Sequence, residues 1–165
     1  MKVIKVTGPD INNGLGNRIT VWFAGCKHHC KNCQNEWTWK YNQGYDMEYA
    51  YDKLKKTLGD TYIQGITFSG GDPLMQNEES LAELLNMIKW IRKTYPEKDI
   101  WIYTGYTLAE LKKKPGETLK AILDNIDVLV DGKFKQELLD LSLAFRGSSN
   151  QCIWDMKTCT KLNLQ

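Results

Sequence analysis

The sequence predicts an α/β fold: an open, partial (β/α) barrel of mainly parallel strands, formed by one domain over residues 1–165. Three observations carry this. Short β-branched or aromatic runs alternate with amphipathic helical stretches, the pattern of βαβ units around a parallel sheet. A closed eight-stranded barrel usually takes about 250 residues, more than this chain has, so the sheet is expected to stay open. No linker, low-complexity tract or internal repeat divides the chain, and 42% hydrophobic content suffices for one core.

Taken in order, "ITVWFAG" (19–25) is a buried strand ending at Gly25, and a cysteine loop follows it. "DMEYAYDKLKKTL" (46–58) reads as a helix, and "QGITFSGGDP" (64–73) as a strand running into a glycine turn. "SLAELLNMIKWIRKTY" (80–95) puts Leu81, Leu84, Leu85, Ile88 and Ile91 on one helical face, with Ser80 and Glu83 at capping-box spacing. "DIWIYTG" (99–105) is a third strand, and Thr107 with Glu110 repeats the capping box after it. "ETLKAILDN" (117–125) is a further helix, "DVLVDG" (127–132) a fourth strand and "QCIWDM" (151–156) a candidate fifth.

Lys and Arg number 22 against 20 Asp and Glu, so no charge excess points to nucleic acid or an anionic membrane as partner. Lys112, Lys113 and Lys114 read as solvated helix surface. There is no apolar run of signal-peptide or membrane-spanning length, and the expected location is cytoplasmic.

Function in such sheets gathers at the carboxyl ends of the strands. The cysteine loop, "SGGDP", "YTGY" and "DGKF" all follow predicted strands, which places one site at one rim. Of the five cysteines, Cys26, Cys30 and Cys33 crowd into "GCKHHCKNC" (25–33), which suits a metal in a reducing compartment better than a disulfide framework. Cys152 and Cys159 stand apart and are assigned mainly to packing. Two readings of the trio stand side by side. A structural zinc would need a fourth ligand, His28 or His29. A four-iron cluster held by three thiolates would keep one iron open to a ligand that is not protein.

The spacing of Cys26, Cys30 and Cys33 resembles the cluster motif of the radical S-adenosylmethionine enzymes, and "FSGGDP" (68–73) resembles that family's second motif. "DINNGLGNR", "CQNEWTW", "SGGDPL", "KDIWIYTGYTLAEL", "VLVDGKF" and "LAFRGSSNQ" follow one another from residue 10 to 151. Together they resemble the activating proteins of anaerobic ribonucleoside-triphosphate reductase. The pattern departs at Asn32, Cys33, Gln34 and Asn35, where the family often carries a tyrosine after the third cysteine, and in the tail from Cys152 onward.

The resemblance implies a partial barrel of the radical S-adenosylmethionine type, a [4Fe-4S] cluster on Cys26, Cys30 and Cys33, and S-adenosylmethionine bound at its open iron. It implies cofactor contacts from Asn32, Cys33, Gln34, Ser69, Gly70, Gly71, Asp72 and Asp131, with no catalytic residue beyond the cluster ligands. Asp72 would complement the methionyl ammonium or cap the turn; Asp131 and Lys133 would meet the ligand or pair with each other. One-electron cleavage of the sulfonium would give a 5′-deoxyadenosyl radical that takes hydrogen from a glycine of the reductase large subunit. The electron would come from reduced flavodoxin or a similar donor. The alternative partner is another glycyl-radical enzyme of the formate-lyase type. His28 and His29 are read as loop surface, Trp37 and Trp39 as core or interface, and Arg146, Ser148 and Asn150 as lying near the partner or nucleoside.

Overall fold

The computed structural model describes residues 1–164; Gln165, the last residue of the expected domain, lies outside the described residues. Among them seven strands form one sheet in chain order: β1 (Val3–Asp10), β2 (Arg18–Phe23), β3 (Gly65–Gly70), β4 (Asp99–Tyr103), β5 (Val128–Asp131), β6 (Cys152–Asp155) and β7 (Thr160–Lys161). Strands β2 to β5 are parallel. β1 lies antiparallel on β2, β6 on β5 and β7 on β6. The fold is therefore α/β with a mixed, mostly parallel sheet, left open between edges β1 and β7.

Three elements differ from the sequence reading, the two-residue strand β7 being one that no sequence signal marked. Val3–Asp10 form an edge strand, signalled by the β-branched run "VIKV" and paired to β2. β6 returns antiparallel, because a parallel return needs a crossover, usually a helix. The segment between β5 and β6 holds only a short 3-10 turn, Gln136–Leu138.

The helices are α1 (Met47–Thr57), α2 (Glu78–Thr94), α3 (Leu108–Lys113) and α4 (Glu117–Asp124). The predicted apolar face of α2 is buried in full, with Met87 added to it. Its start is not Ser80. Asn77 is the cap, its side chain accepting from the Ser80 N–H, and Glu78 and Glu79 occupy the first turn, where the helix dipole favours acids. Glu83 instead meets the Met1 amino group. The Thr107–Glu110 capping box of α3 is present as expected.

Because side chains alternate across a strand, the sheet has two different faces. Ile19, Val21, Phe23, Ile66, Phe68, Ile100, Ile102 and Leu129 pack with the helices into the main core. Each such side chain contributes about 1.5–3 kcal/mol when fully buried. On the other face a smaller cluster of Trp101, Val128, Val130 and Ile153 packs beneath Tyr103 and Phe145. Arg18, fully buried, anchors the β1–β2 loop against this face. Its Nε donates to Thr67 Oγ1 at 2.9 Å, Nη1 to the Leu15 carbonyl at 3.0 Å and Nη2 to the Ile66 carbonyl at 2.8 Å. Asp99 balances the charge at 2.5 Å, and the guanidinium carbon lies 5.0 Å from the Trp101 ring centroid. Thr67 in turn donates to the Asn13 carbonyl at 2.7 Å. "DINNGLGNR" is thus a loop laid back along the sheet, which leaves one end of that face for the site.

Candidate functional site

Cys26, Cys30 and Cys33 line one cavity of about 120 Å³ together with Ser69, Gly70 and Gly71 at the end of β3. Tyr103 at the end of β4, Thr104 just after it, and Gly132 and Phe134 after β5 border the same space. Backbone bonds lock the cysteine loop to the glycine turn. The Gly71 N–H donates to the Phe23 carbonyl at 2.9 Å and the Asp72 N–H to the Gly25 carbonyl at 2.8 Å. Gln76 Nε2 adds bonds to the carbonyls of Ala24 and Asp72, at 3.1 and 3.0 Å. Any Cβ at position 71 would collide with the Gly25 backbone, so the turn requires glycine there.

The Asn35 N–H donates to Cys33 Sγ at 3.4 Å, and the backbone of His28 near Cys26 and of Phe134 near Cys30 favours the thiolate of each. Burial nevertheless pushes the Cys26 thiol up to about 11, against the pull of the His28 backbone. Cys30 is raised first by burial and then by its neighbour Cys33. Sulfurs gathered in this way need positive charge to ionise together, and a metal centre supplies it. Three thiols around one cavity leave one iron of a four-iron cluster without a protein ligand, and the donor set fits such a cluster.

His28 is not loop surface, and its imidazole is taken up by Asp72. Its side chain is 4% exposed, with Nε2 2.8 Å from Asp72 Oδ2 and its ring edge-on to Tyr106. It turns inward because Asp72, 44 residues away in sequence, waits beneath it. His29 is exposed and stacks on Trp39, which borders the thiol cavity; Trp37 is 43% exposed beside Trp22 and Lys5.

Asp72 is buried and fully engaged. Oδ2 meets His28, accepts from Thr104 Oγ1 at 3.0 Å and from the Gly105 N–H at 2.9 Å, while Oδ1 accepts from the Leu74 N–H at 2.9 Å. Asp131 is likewise turned inward, accepting from the N–H groups of Leu108 and Cys152 at 2.6 and 3.2 Å, and it lines neither cavity at the site. Among the described residues it forms no ion pair with Lys133, which instead lies close enough to Cys30 to favour its thiolate.

A second cavity of about 330 Å³ shares Cys33, Asn35, Ser69, Tyr103, Phe134 and Gln151 with the first and continues outward past Asn12, Asn13 and Gln34. Arg146 borders it; Asn32, at φ 56°, is exposed and borders neither. Ser148 and Asn150 build the loop rather than the cavity: Ser148 Oγ accepts from the Lys135 N–H at 3.2 Å, and Asn150 Nδ2 donates to the Lys133 carbonyl at 2.8 Å. Sequence reasoning missed Gln151, whose side chain accepts from the Gly147 and Ser148 N–H groups and donates to the Gly132 carbonyl. It also missed Tyr103, although "YTGY" after a strand marked the right place.

The fold and the three-thiol cavity define an iron–sulfur protein, and the family model described as a 4Fe-4S single cluster domain matches residues 12–154. The chain is 43% identical over 158 residues to the anaerobic ribonucleoside-triphosphate reductase-activating protein of Pasteurella multocida, covering 93% of this chain and 97% of that one. The protein of the same name from Escherichia coli K12 is 44% identical over 151 residues, covering 90% and 94%, and that of Enterobacteria phage T4 is 38% identical over 148, covering 88% of each. The chain belongs to this family of reductase-activating proteins.

Proposed function

We propose that the chain activates anaerobic ribonucleoside-triphosphate reductase as a radical S-adenosylmethionine enzyme, with residues 1–165 forming one domain of partial-barrel type. The observation that carries this reading is the cavity in which Cys26, Cys30 and Cys33 face the Ser69–Gly71 turn. When bound, the [4Fe-4S] cluster and S-adenosylmethionine supply one-electron cleavage of the sulfonium and a carbon radical that takes hydrogen from a glycine of the reductase.

The chain's own residues hold and shield. Cys26, Cys30 and Cys33 ligate the cluster, and the backbone beside them stabilises sulfur charge. Ser69, Gly70 and Gly71 present backbone to the methionyl group. Cys33 and Gln34 border the space for the rest of the cofactor, with Asn32 supporting their loop. Asp72 and Asp131, their carboxylates committed within the protein, act by fixing the rim around the cofactor. The amide-rich outer cavity admits the reductase segment, whose own backbone such side chains match as donors and acceptors. The electron donor is read as reduced flavodoxin or a similar low-potential protein, on the chemistry of the reaction. A cytoplasmic location suits three free thiols at one site, and among the described residues no helix is long and apolar enough to cross a membrane.

Anaerobic reconstitution tests this. The protein should bind about four irons per chain, and serine at Cys26, Cys30 or Cys33 should abolish binding while serine at Cys152 or Cys159 should not. With S-adenosylmethionine and a one-electron reductant it should form 5′-deoxyadenosine and leave a glycyl radical on the reductase, seen by EPR. Stoichiometric zinc without iron-dependent absorbance would refute the reading.

A further inference from the structure

We infer that His28 is a positioning residue: through Asp72 it latches the cysteine loop to the glycine turn and to the end of β4, and so sets where the bound cofactor lies relative to the cluster. The inference rests on the function proposed above and adds a residue to it. Rim segments from separate parts of the chain meet at one carboxylate. His28 arrives from the cysteine loop at 2.8 Å, Thr104 and Gly105 from the end of β4 at 3.0 and 2.9 Å, and the Leu74 N–H from the turn at 2.9 Å. The Asp72 side chain is 1% exposed and the His28 side chain 4%, so water cannot replace a bond lost between them.

The packing is built around the imidazole. Tyr106 meets it edge-on with centroids 4.9 Å apart. A Cβ at Gly105 would run into the ring, so the chain passes His28 with no side chain in between. His28 lies between two of the thiols in sequence, two residues from Cys26 and two from Cys30. Its side chain thus transmits the position of the turn, where the cofactor's methionyl end is read to sit, to the loop that holds the iron. Neither the three thiols nor the backbone bonds at Phe23 and Gly25 tie the loop to β4; the latch does.

The test uses the full chain, reconstituted anaerobically as wild type, His28→Leu, His28→Gln and Gly105→Ala. A glutamine amide nitrogen can take the place of the imidazole Nε2 and donate to Asp72; leucine cannot. Gly105→Ala keeps every hydrogen-bonding group but forces the ring aside. The readouts are iron content, affinity for S-adenosylmethionine, and the change the cofactor makes in the EPR spectrum of the reduced cluster. The expected result is about four irons in each variant. Affinity should fall at least about tenfold, the scale of one lost buried hydrogen bond, and the spectral change should disappear, in His28→Leu and Gly105→Ala but not in His28→Gln. Equal cofactor binding in all variants would overturn the latch, as would a His28→Gln protein no better than His28→Leu. Loss of iron from His28→Leu would also overturn it, by making His28 a support of the cluster alone. A wild type that holds no iron or no S-adenosylmethionine would refute the proposed function instead.

Discussion

Cys26 is 8% exposed and its thiol is pushed up to about 11, first by burial, so at neutral pH it is protonated in metal-free protein. The thiolate is the reacting form, and this fixes an order of reactivity. In metal-free protein iodoacetamide should modify the exposed Cys159 well before Cys26 at pH 8, and the Cys26 rate should climb until about pH 11, as mapped by mass spectrometry of the peptides. Equal rates at pH 8 would show that the loop opens without metal. The cysteines were legible because their spacing is local and chemically narrow. His28 was not, since its meaning depends on Asp72 and Gly105, which only the fold brings to it.

Strand β5 is pinned at its start by Asp127. The carboxylate accepts from Arg92 Nη2 of α2 at 2.6 Å, from the Ile100 N–H of β4 at 2.8 Å, and pairs with Lys157 at 2.9 Å. Burial raises its carboxyl, but the bonds from Lys157, Arg92 and Ile100 outweigh burial and hold it below the usual value. A carboxyl depressed in the folded state contributes stability above its unfolded value of about 3.9, and loses it as pH falls through the lower folded value. Asp127→Asn should therefore cost roughly 1–3 kcal/mol at pH 7 and flatten the fall in Tm below about pH 4, followed by circular dichroism. An unchanged acid limb would mean that other carboxylates govern it. Helices α1, α2 and α4 and the parallel strands were legible from periodicity within each segment, and α3 from its capping box, while the cap of α2 lay three residues before the expected Ser80. The direction of β6 was legible only by omission: no amphipathic helix lies between residues 132 and 151 to bring the chain back parallel.

At the scale of the molecule, an open sheet leaves its site to be walled by loops. The β1–β2 loop is tied down by Arg18, while the segment from Gly132 to Gln151 covers the other side with almost no regular structure of its own. That segment is held by Gln151, which bonds Gly132 at one end and Gly147 and Ser148 near the other, at 2.9, 2.9 and 3.1 Å. Gln151 also borders both cavities. Alanine there should loosen the wall without touching a thiol, so iron should be retained. With the wall loose, radical formed at the cluster should be quenched before it reaches the reductase. The yield of glycyl radical per 5′-deoxyadenosine should fall severalfold, measured by EPR spin count against chromatography of the nucleoside. A ratio equal to wild type would mean that the reductase itself closes the site and that the wall matters only for the resting protein.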